Sequence, residues 1–123
     1  MKLFIILGAL NAFLSVALGA FGAHGLEKWV EPKYMEIWQT GVQYQMFHAA
    51  GLLVIGVLLG KLPDSSLLSW SGWMMLIGII LFSGSLYVLT LTKVGILGAI
   101  TPFGGVSFLV AWVLLIIAAV KHL

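Results

Sequence analysis

Four apolar runs, each long enough to cross a lipid bilayer, dominate this 123-residue sequence; they cover residues 3–23, 41–60, 67–91 and 95–120. The hydrocarbon layer of a bilayer is about 30 Å thick, which an α-helix crosses in roughly 20 residues. Because backbone N–H and C=O groups in lipid must be paired within their own segment, each run is predicted to be a helix. We therefore expect an all-α membrane protein, a four-helix transmembrane bundle that forms one integral membrane domain over residues 1–123.

The composition supports lipid as the surrounding medium. The chain is 62% hydrophobic and 8% charged, whereas an ordinary soluble domain carries about 25% charged residues. Cysteine is absent, which excludes disulfides, thiolate metal ligands and cysteine nucleophiles. The formal charge of +2 comes from scattered lysines without arginine, so we expect the lipid bilayer and no nucleic acid as a partner.

The first run has an alternative interpretation as a cleaved signal peptide. Lys2 precedes it, and the small residues of "ALGA" lie near its end. However, the run is longer than the apolar core of a usual signal peptide and contains Asn11. We therefore expect it to remain as a transmembrane helix.

The connection between the first two runs, "HGLEKWVEPKYMEIWQT", has the highest density of charged side chains in the chain. Pro32 suits the first turn of a helix, where its missing N–H costs nothing. Trp29, Tyr34 and Trp38 suit the headgroup region of a membrane, where amphipathic rings are enriched. These features predict an interfacial segment that runs into the second helix. Three lysines flank the spans on each side, so the lysine count does not assign the sidedness.

Polar side chains concentrate near one membrane surface. The stretch "GVQYQMFHAAG" opens the second run with several hydrogen-bonding groups. In an up-and-down bundle, this end shares its level with the end of the first run, the end of the third and the start of the fourth. We predict one shared polar cluster there, and its candidate ligand-binding residues are His24, Gln43, Tyr44, His48, Ser85, Tyr87 and Thr101, with Asn11 from the first helix.

Small residues recur at helical spacing in the first and fourth runs. Asn11, Ser15 and Gly19 fall on one stripe of the first run, and small residues at such positions let helix backbones approach closely. The same faces could supply the contacts of a homo-oligomer. In the fourth run, Pro102 within "ITPFGG" predicts a kink or a partial break, because proline cannot donate a backbone hydrogen bond.

These features favour one function and leave two alternatives. The first hypothesis is that a polar intramembrane pocket binds or passes a small solute or a lipid-derived ligand. The first alternative is a structural or accessory subunit of a membrane complex, in which the polar residues only join helices. The second is a metal-dependent membrane enzyme that uses His24 and His48 with Glu27 or Glu36. We expect no enzyme activity, since no catalytic constellation is visible, and we assign no catalytic residue, metal ligand or cofactor.

Four blocks carry a family resemblance: "LGALNAFLSVALGAFGAHGL", "WQTGVQYQMFHAAGLL", "GSLYVLTLT" and "GAITPFGGVSFLVAW". In this order they resemble the signature blocks of the domain-of-unknown-function family 423, small bacterial membrane proteins of the YwdK/YgdD type. The resemblance covers nearly the whole chain. It implies four helices in the bacterial inner (cytoplasmic) membrane, with recurrent polar positions at the eight candidate residues, and it implies no reaction.

Overall fold

The computed structural model describes residues 2–123, and these residues form helices joined by short turns. The first crossing is α1. The second is α2, the third is built from α3 and α4 with one wide π turn between them, and the fourth is α5 after a short 3₁₀ turn. Their bounds are α1 Lys2–His24, α2 Pro32–Lys61, α3 Ser66–Gly78, π turn Ile79–Ser83, α4 Gly84–Thr92, 3₁₀ turn Gly95–Ala99 and α5 Thr101–His122.

Four helical stretches are long and apolar enough to cross a membrane, which confirms the predicted architecture; they are Lys2–Lys28, Pro32–Lys61, Ser66–Thr92 and Gly95–His122. Their outward faces carry large apolar side chains, such as Phe13 on α1 and Leu109 on α5. In a bilayer these faces contact acyl chains, because little else in a membrane would cover them.

The segment between the first two crossings has a short 3₁₀ turn over Leu26–Lys28 before α2 begins at Pro32. Pro32 occupies the first turn of α2, as its fixed backbone angle favours. The 30 residues of α2 span about 45 Å, which exceeds the hydrocarbon layer by about 15 Å. The first turns of α2 are therefore the interfacial part of the same helix that crosses the membrane.

The predicted break at "ITPFGG" is the start of a helix. The 3₁₀ turn ends at Ala99, and α5 begins at Thr101 with Pro102 in its first turn. A proline at this position removes no hydrogen bond that the helix would otherwise make. The fourth crossing therefore begins with a tight turn and continues as a regular α-helix.

Close packing holds the four crossings together: α1 lies along α2, and α3 lies along α5. The core between them includes Leu52, Leu68 and Met75, which are fully buried. Gly104 on α5 lies directly against the backbone of Phe82 in the π turn, where an added Cβ would approach the Phe82 Cα to 2.7 Å. The absence of a side chain at Gly104 therefore allows the third and fourth crossings to meet backbone to backbone.

Candidate functional site

The predicted polar side chains do not form one continuous hydrogen-bonded network; the structure divides them into separate hydrogen-bonded groups and an exposed surface. The first group, here called the amide network, joins three crossings. Gln45 Nε2 donates to Asn11 Oδ1 at 3.0 Å, and the Tyr87 hydroxyl donates to Gln45 Oε1 at 2.7 Å. Asn11 Nδ2 also donates to the Leu7 carbonyl at 2.8 Å. Both ends of the Gln45 amide are therefore occupied by neighbouring helices.

Gln45 was not among the predicted site residues, although it is the centre of this network and only 4% exposed. A signal for it exists in the sequence. Trp38, Val42, Ala49 and Leu52 are buried along α2. With Gln45 between Val42 and Ala49, the steps along this face are four, three, four and three residues, which is helical spacing. Gln45 falls on the same line, four residues before Ala49, whereas Gln43 falls off it.

His48 forms a second group with aromatic residues of α5. Its ring is 3% exposed and stacks on Phe108, with the ring centroids 3.5 Å apart and the planes 10° from parallel. Trp112 Nε1 donates to His48 Nε2 at 3.0 Å, and His48 Nδ1 lies 2.8 Å from the Tyr44 carbonyl. Because an indole N–H can only donate, Nε2 is the acceptor and Nδ1 carries the proton in the tautomer that satisfies both contacts.

A third group links the third crossing to the start of α5. The Ser85 and Thr101 hydroxyl oxygens lie 2.6 Å apart, and Ser85 Oγ also donates to the Phe82 carbonyl at 2.9 Å. Each hydroxyl therefore has a partner within the protein, and the pair connects α4 to α5.

Serine side chains outside the predicted set form further hydrogen bonds between crossings. Ser71 Oγ donates to the Ala111 carbonyl at 2.6 Å, Ser83 Oγ to the Gly41 carbonyl at 2.7 Å, and Ser107 Oγ to the Met74 carbonyl at 2.6 Å. Within residues 2–123, every buried side-chain nitrogen and oxygen has a hydrogen-bond partner. The hydrogen-bonding capacity of the buried side chains is therefore used within the protein, and no buried side-chain polar atom requires a ligand as its partner.

Gln43 and Tyr44 lie on the outer surface of α2, where they line a shallow groove of about 380 Å³ with Phe47. Tyr44 is 44% exposed, and its ring packs against Phe82 with the centroids 4.6 Å apart. Neither side chain takes part in a hydrogen bond among the described residues. Here the protein presents two hydrogen-bonding groups and an aromatic ring outward.

His24 is the last residue of α1; it is exposed and belongs to none of these hydrogen-bonded groups. In the described part of the chain, no three His, Asp or Glu side chains come together as a ligand set for a metal ion. The metal-site hypothesis for His24 and His48 therefore gains no geometric support, and both nitrogens of His48 already have partners.

Comparison with known proteins identifies a family. Residues 18–105 match the sequence pattern of the family described as "Protein of unknown function (DUF423)". The chain is 57% identical over 123 residues to the UPF0382 membrane protein YwdK of Bacillus subtilis, and the alignment covers 100% of both chains. It is 57% identical to a UPF0382 membrane protein of Staphylococcus epidermidis and 54% identical to one of Staphylococcus haemolyticus, each over 98% of both chains. No solved structure gives a significant match. The chain therefore belongs to the DUF423 (UPF0382) family of bacterial membrane proteins.

Proposed function

We propose that this protein binds a small amphiphilic, lipid-derived ligand in the groove lined by Gln43, Tyr44 and Phe47. One observation carries the proposal. The buried polar atoms of the described residues are all paired, whereas Gln43 and Tyr44 point outward without an internal partner. Polar side chains that face lipid are costly, so such groups are expected to serve a ligand or a partner.

The depth of the groove favours an amphiphile. Tyr44 lies 17 residues before Lys61, the last residue of α2, and this separation corresponds to about 26 Å along the helix axis. If Lys61 marks one membrane surface, Tyr44 lies just inside the opposite boundary of a hydrocarbon layer about 30 Å thick. At that level a ligand headgroup reaches the Gln43 amide, and its apolar part lies along Phe47.

The interior groups support this groove from behind. The Tyr44 ring packs on Phe82, which shares the π turn with Ser83, and Ser83 is bonded to the Gly41 carbonyl. His24, the exposed last residue of α1, is not among the residues that line the groove. The other candidate residues hold the helices behind the groove in position; they are Asn11, His48, Ser85, Tyr87 and Thr101. Binding is favoured over permeation because the His48 and Phe108 rings stack in direct contact where a passage through the interior would run.

The bacterial cytoplasmic membrane is the proposed location, with the chain crossing it four times. Its crossings are helices, which is the form that pairs every backbone group inside a single segment. Spanning proteins of bacterial outer membranes are closed β-barrels instead.

Photocrosslinking tests the proposal. A photoreactive p-benzoylphenylalanine in place of Phe47 should capture a small molecule from bacterial membranes, seen as a discrete mass increase of the intact protein. The matched control places the same probe at Leu109, which is 68% exposed on the outer face of α5. If position 47 yields the same heterogeneous phospholipid adducts as position 109, no ligand is selected and the proposal fails.

A second candidate function is that of an accessory subunit, and the same exposed amide favours it. Glutamine side chains on helix surfaces form hydrogen bonds between neighbouring membrane helices, so Gln43 could contact a partner helix. In that case the probe at position 47 yields a protein-sized adduct. An adduct of twice the chain mass identifies a homo-oligomer, and any other discrete protein mass identifies a different subunit.

A further inference from the structure

A second pocket lies at the opposite membrane surface, about one bilayer thickness from the groove of Gln43 and Tyr44. It measures about 630 Å³ and is open to the outside. The C-terminal turn of α2, the turn that follows it, the first turn of α3 and the end of α5 form its walls. Lys61, Lys121 and His122 line it as basic groups, and Asp64 is the acidic residue in its wall.

The basic groups of this pocket have no acidic partner within ion-pair distance in residues 2–123, where Lys93 with Glu31 at 3.1 Å is the one ion pair. The side-chain charges are also divided unevenly between the two membrane surfaces. The pocket end carries three lysines and one acid, which are Lys2, Lys61, Lys121 and Asp64; the other end carries three lysines and three acids, which are Lys28, Lys33, Lys93, Glu27, Glu31 and Glu36. The whole formal charge of +2 therefore lies at the pocket end.

Backbone donors add to this positive potential. Ser65 caps α3: its Oγ accepts from the Leu68 N–H at 3.3 Å, and its carbonyl accepts from the Ser69 N–H at 3.2 Å. The N–H groups of Ser66 and Leu67 precede the first intrahelical bonds of α3, and both residues line the pocket. An anion seated between the lysines would meet these donors.

A second groove leads from the polar turn of the basic pocket to two exposed indole rings. This groove, of about 400 Å³, shares the wall of residues 63–66 with the pocket and continues to Trp70 and Trp73. The two indoles are 59% and 41% exposed. Indole rings favour the membrane–water interface, so this groove lies where the glycerol and upper acyl chains of a phospholipid run.

We infer that the pocket between Lys61, Lys121 and the first turn of α3 binds the phosphate-bearing headgroup of an anionic phospholipid, whose acyl chains leave across Trp70 and Trp73. Basic pockets between transmembrane helices recognise anionic headgroups in this way. The adjoining indole groove distinguishes a lipid from a free phosphate ion, which has no apolar part to place there. This site is separate from the groove at Gln43 and does not depend on the function proposed for it.

Thermal unfolding of the purified full chain in a neutral detergent tests the inference. Dioleoylphosphatidylglycerol should raise the unfolding temperature at lower concentration than dioleoylphosphatidylcholine does. In the double variant Lys61→Gln/Lys121→Gln, the half-saturating concentration of phosphatidylglycerol should rise about 25-fold, since each lysine at an anionic surface contributes about fivefold. The matched control Lys28→Gln/Lys33→Gln removes two charges from the opposite end and should stay within about twofold of the wild type.

Four results would overturn the inference. Equal stabilisation by the two lipids shows that the protein does not distinguish an anionic headgroup from a zwitterionic one. Equal losses in the two double variants show that only the total charge matters. Full protection by inorganic phosphate alone shows a free-anion site. Lys61 and Lys121 also lie at helix C-termini, where cations are favoured by the helix dipole; if that is their whole role, the double variant unfolds earlier without lipid but keeps the wild-type lipid response.

Discussion

Gln43 and Gln45 are chemically identical and two residues apart, yet the structure gives them opposite roles. Gln45 is buried and bonds to Asn11 and Tyr87, whereas Gln43 is exposed on the outer face of α2. Replacing each with leucine in separate variants therefore compares the same chemical change in two environments. The expected result is a loss of stability in Gln45→Leu and almost none in Gln43→Leu.

The magnitude follows from the two bonds that Gln45 makes. Hydrogen bonds between membrane helices contribute about 0.6 kcal/mol on average and up to about 1.7 kcal/mol. Losing two of them predicts that Gln45→Leu lowers the free energy of unfolding by about 1 to 3 kcal/mol. Leucine is close to glutamine in volume, so the cavity contribution is small. Gln43→Leu should change the free energy by no more than about 0.5 kcal/mol.

Unfolding by sodium dodecyl sulfate in mixed micelles, followed by circular dichroism, measures both values. A double-mutant cycle with Tyr87→Phe then isolates the bond of 2.7 Å between the Tyr87 hydroxyl and Gln45. Gln45→Leu should cost about 0.6 to 1.7 kcal/mol less in the Tyr87→Phe background than in the wild type. Equal costs for the two leucine variants, or a coupling energy near zero, would refute the assignment of Gln45 to the interior.

Two further predictions concern the contacts of α5 and of the π turn. Gly104→Ala should destabilise the protein by about 1 to 3 kcal/mol, because its Cβ would press on the backbone of Phe82; the control Gly84→Ala, where an added Cβ meets nothing within 4 Å, should be stabilising by about 0.5 to 1 kcal/mol, and equal effects in thermal unfolding would contradict the packing. Nitrogen-15 NMR of the His48 ring should show a protonated Nδ1 and an unprotonated Nε2, and Trp112→Phe should disturb this state because it removes the donor at 3.0 Å; a wild-type ring protonated at Nε2 would exclude the bond.

The number of crossings was predictable because it depends on local properties. Length and hydropathy decide whether a run can cross a bilayer, and neither property requires knowledge of a neighbouring helix. The same holds for Pro32, whose position at the start of α2 follows from its own backbone geometry. For Pro102, the sequence predicted an interruption, and the structure shows that it is a helix start after a 3₁₀ turn.

The contacts between side chains of different helices could not be predicted from the sequence in the same way. A shared depth brings residues to one level of the membrane, but the rotation of each helix decides whether they face each other. Gln43 and Gln45 are at nearly the same depth, and a turn of about 200° around α2 separates them. Depth in the membrane alone pointed to Gln43 as a site residue. The buried face of α2, however, contains Gln45 together with Trp38, Val42 and Ala49.

The third crossing shows the same limit. A regular helix over residues 67–91 places each side chain by a rotation of about 100° per residue. The π turn at Ile79–Ser83 adds about one residue to a turn and shifts the phase of everything after it. The faces of Ser85 and Tyr87 were therefore decided by the packing that stabilises this turn, including the bond from Ser83 to the Gly41 carbonyl.

The sequence by itself determined that this chain crosses a membrane four times as helices and where its polar residues lie in depth, because a bilayer sorts side chains by their distance from its surface. Only the tertiary structure decided which polar groups are paired inside and which remain outside. That outcome depends on helix rotation and register, which are set by contacts between distant parts of the chain, such as Gly104 against Phe82. Gln45, paired in the interior, and Gln43, exposed on the outer face, show the two outcomes.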